Sequence, residues 1–126
     1  MKKLILIADD DNKNLKLLRD IFNRNGYDTL EAKSGYECIN IAKNYSPDLI
    51  CLDIFMPQLD GYEIIKKLKV INSTKKIPII VISANAMPED RMKILNTDCN
   101  LYLSKPIDIN ELLNEVKTLL SGNLEN

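Results

Sequence analysis

Short, unbroken apolar runs alternate along this chain with longer stretches in which apolar positions recur at helical spacing. The runs are Leu4-Ile5-Leu6-Ile7-Ala8, Leu49-Ile50-Cys51-Leu52, Ile79-Ile80-Val81-Ile82 and the shorter Leu101-Tyr102-Leu103. A strand covered on both faces reads as solid apolar sequence, whereas a half-exposed one alternates. The runs therefore predict strands of a parallel sheet held between helices. Residues 27–30 make a weaker run, as suits an edge strand. Leu15, Leu18 and Phe22 form one helical stripe, Ile64, Ile65 and Leu68 a second, and Ile109, Leu113, Val116 and Leu120 a third. Residues 34–44, opening on Ser34 as an N-cap, and residues 88–96, with Pro88 in the first turn, complete the predicted helices. Gly26 after Asn25 reads as the cap that closes the first helix. Five strands and five helices in strict alternation predict an α/β, doubly wound (βα)₅ open sheet.

Composition narrows the class without choosing a function. A chain of 126 residues fits one domain with a core of its own. Apolar residues are 45%, charged residues 28% and the net charge is −1, so neither nucleic acid nor a membrane surface is an expected partner. After Met1-Lys2-Lys3 the apolar run stops at Asp9, too short for a secretory signal, and a cytoplasmic location is expected. Cys38, Cys51 and Cys99 lie far apart with no CxxC pair and read as reduced thiols. The chain has no histidine, which removes Ser-His-Asp and Cys-His chemistry and makes a zinc site improbable. Any phosphohistidine must come from a partner. One domain is expected over residues 1–121, with a flexible tail at 122–126.

Ligands of open α/β sheets bind beyond the carboxyl ends of the strands. Asp9, Asp10 and Asp11 follow the first strand, Asp53 the third, and Ser83 ends the fourth; Lys105, followed by Pro106, ends the fifth. Clustered carboxylates repel one another and require a cation, and oxygen ligands without Cys or His favour Mg²⁺. Mg²⁺ takes one or two carboxylates and phosphate oxygens, which leaves a carboxylate free as nucleophile. The metal and Lys105 would neutralise charge on a transferring phosphoryl group, and Ser83 would hydrogen-bond one of its oxygens. Asp11 reads equally as the cap of the next helix. Each of these residues alone is unremarkable; their arrival at one rim is what points to phosphoryl transfer.

Five segments then resemble one family. Leu6-Ile7-Ala8-Asp9-Asp10, the run from Asp48 through Asp53 to Pro57 with Asp60-Gly61, Ser83-Ala84, and Tyr102-Leu103-Ser104-Lys105-Pro106 resemble the CheY-like receiver domains of response regulators. The match spans roughly residues 3–120 in order and spacing. Asn14, Leu17, Gly26-Tyr27 and Ala84-Asn85-Ala86-Met87 look most like the single-domain regulators of the DivK type.

The resemblance implies a flavodoxin-like sheet in the order 2-1-3-4-5 and a two-component or phosphorelay role. Asp53 would be the phosphoacceptor. Asp9, Asp10, Asp53 and the backbone carbonyl of Phe55 would hold Mg²⁺, with Mn²⁺ a possible substitute. Ser83, Ala84 and Lys105 would meet the phosphoryl group, and Pro106 would follow a cis bond. Tyr102 would be the switch aromatic, although a half-buried strand tyrosine reads the same way. A histidine kinase or histidine phosphotransfer domain would dock on the first helix and the loop after Lys105. A downstream protein would read the fourth helix, fifth strand and fifth helix, about residues 88–120. The chain would be a monomer or a weak, phosphorylation-dependent dimer: a switch rather than an enzyme, catalysing its own phosphorylation and slow autodephosphorylation.

Three positions depart from the family pattern. Ser83 replaces the commoner threonine and keeps the hydroxyl. Phe55 cannot hold a hydrolytic water, which predicts a long-lived phosphoryl-aspartate, with Asn85 the other neighbour of interest. Asp98 stands where glycine is frequent, and because Asp tolerates a left-handed turn the fold is expected to be unaffected. Met1 and the full last helix favour a free-standing protein over a module of a longer kinase. An aspartate-nucleophile phosphatase would need an acid-base Asp shortly after Asp53, and none precedes Asp60. A flavodoxin-type flavin carrier would need a Ser/Thr/Gly-rich phosphate loop where this chain has aspartates.

Overall fold

The computed structural model describes residues 2–54, 56, 60–84, 92–93 and 96–122. The elements are β1 (Leu4–Ala8), α1 (Asn12–Arg24), β2 (Asp28–Ala32), α2 (Gly35–Tyr45), β3 (Leu49–Asp53), α3 (Gly61–Val70), β4 (Ile79–Ala84), β5 (Leu101–Lys105) and a C-terminal helix (Ile109–Gly122). All pairings are parallel and the sheet order is β2-β1-β3-β4-β5. The helix expected at 88–96 falls largely outside the described residues; Met92 and Lys93 are helical.

Strand periodicity divides the core into two layers. Leu6, Ala8, Ile50, Leu52, Ile79 and Val81 face α2 and α3, while Ile5, Ile7, Leu49, Cys51, Ile80 and Ile82 face α1 and the C-terminal helix. Successive side chains point to opposite faces, so a strand buried on both sides must be apolar at every position. That is why β1, β3 and β4 were legible as solid runs.

Helix starts follow their caps. Asp11 accepts from the Lys13 amide at 2.9 Å, Ser34 from Glu37 at 3.2 Å, and Asp60 from Glu63 at 3.0 Å. Asp11 is thus the α1 cap and supplies no carboxylate to the acidic cluster described below. Gly61 permits a close approach: a Cβ there would lie 2.6 Å from the Ile54 Cα, and the Gly61 amide donates to the Ile54 carbonyl at 2.8 Å. This contact folds the chain leaving Asp53 back against α3.

Two expectations shift. β2 runs over Asp28–Ala32 rather than 27–30, because the Tyr27 amide donates to the Phe22 carbonyl and its ring meets Phe22 edge-on at 6.1 Å. Tyr27 therefore belongs to the end of α1. The buried stripe of the C-terminal helix is Leu112, Val116 and Leu120; Ile109 is 45% exposed and Leu113 only partly buried. Spacing alone did not set the rotation of that helix on the sheet. Among the described residues the positive φ angles belong to Gly26 (90°) and Ser46 (47°), so Asp98 does not adopt the left-handed turn.

Candidate phosphoryl-transfer site

The ends of β1, β3 and β5 bring four charged side chains together. Asp9 follows β1, and its amide donates to the Ala32 carbonyl at 3.0 Å, one step beyond the last paired residues of β1 and β2. Asp9 is 2% exposed, and its side chain accepts from the Asp11 amide at 2.9 Å. Asp53 ends β3 beside Ile82 of β4. Asp10 is exposed at the mouth. One carboxylate oxygen from each of Asp9, Asp10 and Asp53 lies within 4.8 Å of the others. Lys105 reaches in from β5, with Nζ 3.6 Å from Asp9 Oδ2 and 3.8 Å from Asp53 Oδ2.

Three carboxylates against one ammonium leave a concentrated negative charge in a partly buried cleft, where repulsion is weakly screened. A small divalent cation with hard oxygen preference answers that imbalance. Cys51 also lines the cleft beneath Asp53, but burial pushes its thiol up to about 12. No thiolate is available there to draw a softer metal. The donor set fits Mg²⁺.

Ser83 lies two residues along β4 from Val81, on the same face, and is fully buried. Its hydroxyl donates to the Ala84 carbonyl at a long 3.5 Å. Tyr102 of β5 pairs with Val81 and is half-buried against the α2–α3 layer, so Ser83 and Tyr102 share a face of neighbouring strands. Ala84 pairs with Lys105 at the rim. The Lys105–Pro106 peptide bond is cis. Phe55 and Asn85 lie outside the described residues.

The family model for the response regulator receiver domain matches residues 5–117. This chain belongs to the response regulator receiver domain family. It is 37% identical over 120 residues to the polar-differentiation response regulator DivK of Brucella ovis, covering 95% of this chain and 98% of that one. The signal receiver domain of a signal transduction histidine kinase from Syntrophus aciditrophicus superposes with a TM-score of 0.92 at 31% identity, covering 98% of this chain and 94% of the other. The receiver domain of a sensor histidine kinase from Pseudomonas aeruginosa matches with a TM-score of 0.90 at 26% identity, covering 96% and 99%, and has a magnesium ion coordinated in its active-site cleft.

As a DivK-like receiver domain, the protein is a signalling switch of a two-component system. Receiver domains interact with histidine kinases and downstream targets, and bind Mg²⁺ at an acidic pocket like the Asp9-Asp10-Asp53 cluster. Among the described residues no helix is long and apolar enough to cross a membrane. The first helix and the loop after Lys105, the expected phosphodonor face, meet in an open groove of about 270 Å³ beside the acidic cleft, lined by Asn14, Leu17, Lys105, Pro106, Ile107 and Ile109. The sequence pointed to both segments but not to Ile107, just past the Lys-Pro pair, as part of that lining.

Proposed function

We propose that this receiver domain accepts a phosphoryl group on Asp53 from a partner phosphohistidine. The Asp53 carboxylate oxygen attacks phosphorus, the P–N bond breaks, and the partner's imidazole leaves with the electron pair. Asp9, Asp10, Asp53 and the Phe55 carbonyl would hold Mg²⁺; when bound, the ion supplies positive charge to the phosphoryl oxygens. Mn²⁺ would serve in its place, having the same preference for oxygen ligands. Lys105 pairs with a phosphoryl oxygen once the acylphosphate forms. Ser83 then turns its hydroxyl from its long contact with Ala84 toward the phosphoryl group, beside the Ala84 backbone. Tyr102, on the same sheet face, turns inward into the space vacated.

The observation that carries this reading is the meeting of Asp9, Asp10 and Asp53, with carboxylate oxygens within 4.8 Å of one another, and of Lys105 within ion-pair range of Asp9 and Asp53, from three separate strand ends. The phosphodonor, a histidine kinase or histidine phosphotransfer domain, docks on α1 and the groove of Leu17, Pro106 and Ile107. Phosphorylation changes the surface of residues 88–120, which a downstream protein reads. Phe55 slows autodephosphorylation by leaving no side-chain hydrogen bond for a hydrolytic water. The domain occupies residues 1–121 with a tail at 122–126, works in the cytoplasm, and is a monomer or a weak dimer once phosphorylated.

The test is incubation with Mg²⁺ and acetyl phosphate, followed by intact mass. A gain of one phosphoryl group is expected in the wild type, none in Asp53→Asn, and none when EDTA removes the metal. An equal gain in Asp53→Asn would overturn the assignment.

A further inference from the structure

The far end of the sheet carries a second concentration of charge, of opposite sign. Lys66, Lys67, Lys69, Lys75 and Lys76 lie close together in the chain, and no Asp or Glu occurs between Glu63 and Glu89. Lys67 and Lys69 occupy the last turn of α3, where cations answer the helix dipole. That explanation does not extend to Lys75 and Lys76, which lie beyond the helix.

Side chains fold this segment back on itself. Lys69 Nζ donates to the carbonyls of Lys75 at 3.3 Å and Ile77 at 3.1 Å. Thr74, buried at 1%, donates its hydroxyl to the Leu68 carbonyl at 2.6 Å. The amides of Thr74 and Lys75 both donate to the Ile71 carbonyl. Lys75 and Lys76 are thereby held next to the last turn of α3. Lys69 is occupied in this role, and burial lowers its pKa against the opposing influence of Asp98 and Cys99. Lys66 borders a hollow shared with Asp98. That leaves Lys67, Lys75 and Lys76, all exposed and, among the described residues, in no ion pair, with Val70 between them at 76% exposure.

We propose that this junction of α3 and the loop into β4 is a docking surface for an acidic, partly apolar segment of a partner protein. Its backbone is already ordered, so binding costs little beyond fixing lysine side chains. Three like charges with no acid between them in the chain attract a segment of Asp and Glu, and Val70 offers contact to an apolar side chain within it. A nucleic acid fits less well. The junction has no Arg fork and no aromatic ring for stacking. The junction leads into the start of β4, whose other end carries Ser83. A partner held there leaves the acidic cleft free for the phosphodonor.

Fluorescence anisotropy with a labelled peptide of alternating Glu and Leu, at about 0.15 M salt, tests this. Lys67→Glu/Lys75→Glu/Lys76→Glu should weaken binding at least about tenfold, with acetyl phosphate labelling of Asp53 unchanged and the thermal melt intact. The same number of reversals elsewhere, Lys16→Glu/Lys33→Glu/Lys117→Glu, should weaken it far less. Equal losses in the two triple variants, no measurable binding by the wild type, or tighter binding of a short DNA duplex than of the peptide would each overturn the proposal.

Discussion

Single residues set the local geometry on which the cleft depends. Gly61 packs tightly against Ile54, the residue after Asp53, and a methyl group there would meet the Ile54 Cα as well as its side chain. Gly61→Ala should cost about 1–3 kcal/mol in urea unfolding and lower the rate of acetyl phosphate labelling. Ser46 closes α2 at φ 47°, a conformation that L side chains adopt at a cost. Ser46→Gly should therefore gain about 0.5–1 kcal/mol. Burial pushes the thiols of Cys38 and Cys51 from 9.0 up to about 12. A raised thiol pKa means that the unfolded chain ionises first. Their contribution is fully present below pH 9 and is lost as pH climbs toward 12. In a thiol-reagent assay at pH 8, Cys99, only partly buried, should react well before the other two.

Elements divide the labour between holding the core and meeting partners. α1 buries Leu15, Leu18, Ile21 and Phe22 but leaves Leu17 48% exposed. Ile109, at the start of the C-terminal helix, is exposed for the same reason: its turn lies off the buried stripe and borders the groove. An apolar side chain so placed adds little to stability, so its removal separates docking from folding. Leu17→Asp should slow phosphoryl transfer from a histidine kinase about tenfold or more while leaving acetyl phosphate labelling within about twofold. Equal loss with both donors would place the defect in the cleft rather than in docking.

For the whole molecule, the sheet gathers negative charge at one end and leaves it partly compensated by Lys105. A cation that binds only the folded form must therefore stabilise it. Mg²⁺ at 100 times its Kd should add about 2.7 kcal/mol, seen as a rise in Tm. Asp53→Asn removes one of the repelling charges, and should raise the Tm of the metal-free protein while blunting the response to Mg²⁺. A wild-type melt indifferent to Mg²⁺ would contradict the proposed cation site.

Much of this was written in the chain itself. β1, β3 and β4 announced themselves because burial on both faces demands apolar residues at every position, and Asp9, Asp10, Asp53 and Lys105 stood out because each follows such a run. The beginning of β2 was misplaced because Tyr27 answers to Phe22 rather than to β1. Local sequence therefore determined which elements form, where the helices are capped and which charges stand at the strand ends, since propensity, periodicity and capping act over a few residues. Tertiary structure alone decided the distances among Asp9, Asp53 and Lys105, the rotation of the C-terminal helix that exposes Ile109, and the folding of Lys75 and Lys76 against α3. Those depend on contacts between segments remote in the chain or on single side-chain-to-backbone hydrogen bonds, and no periodic pattern records either.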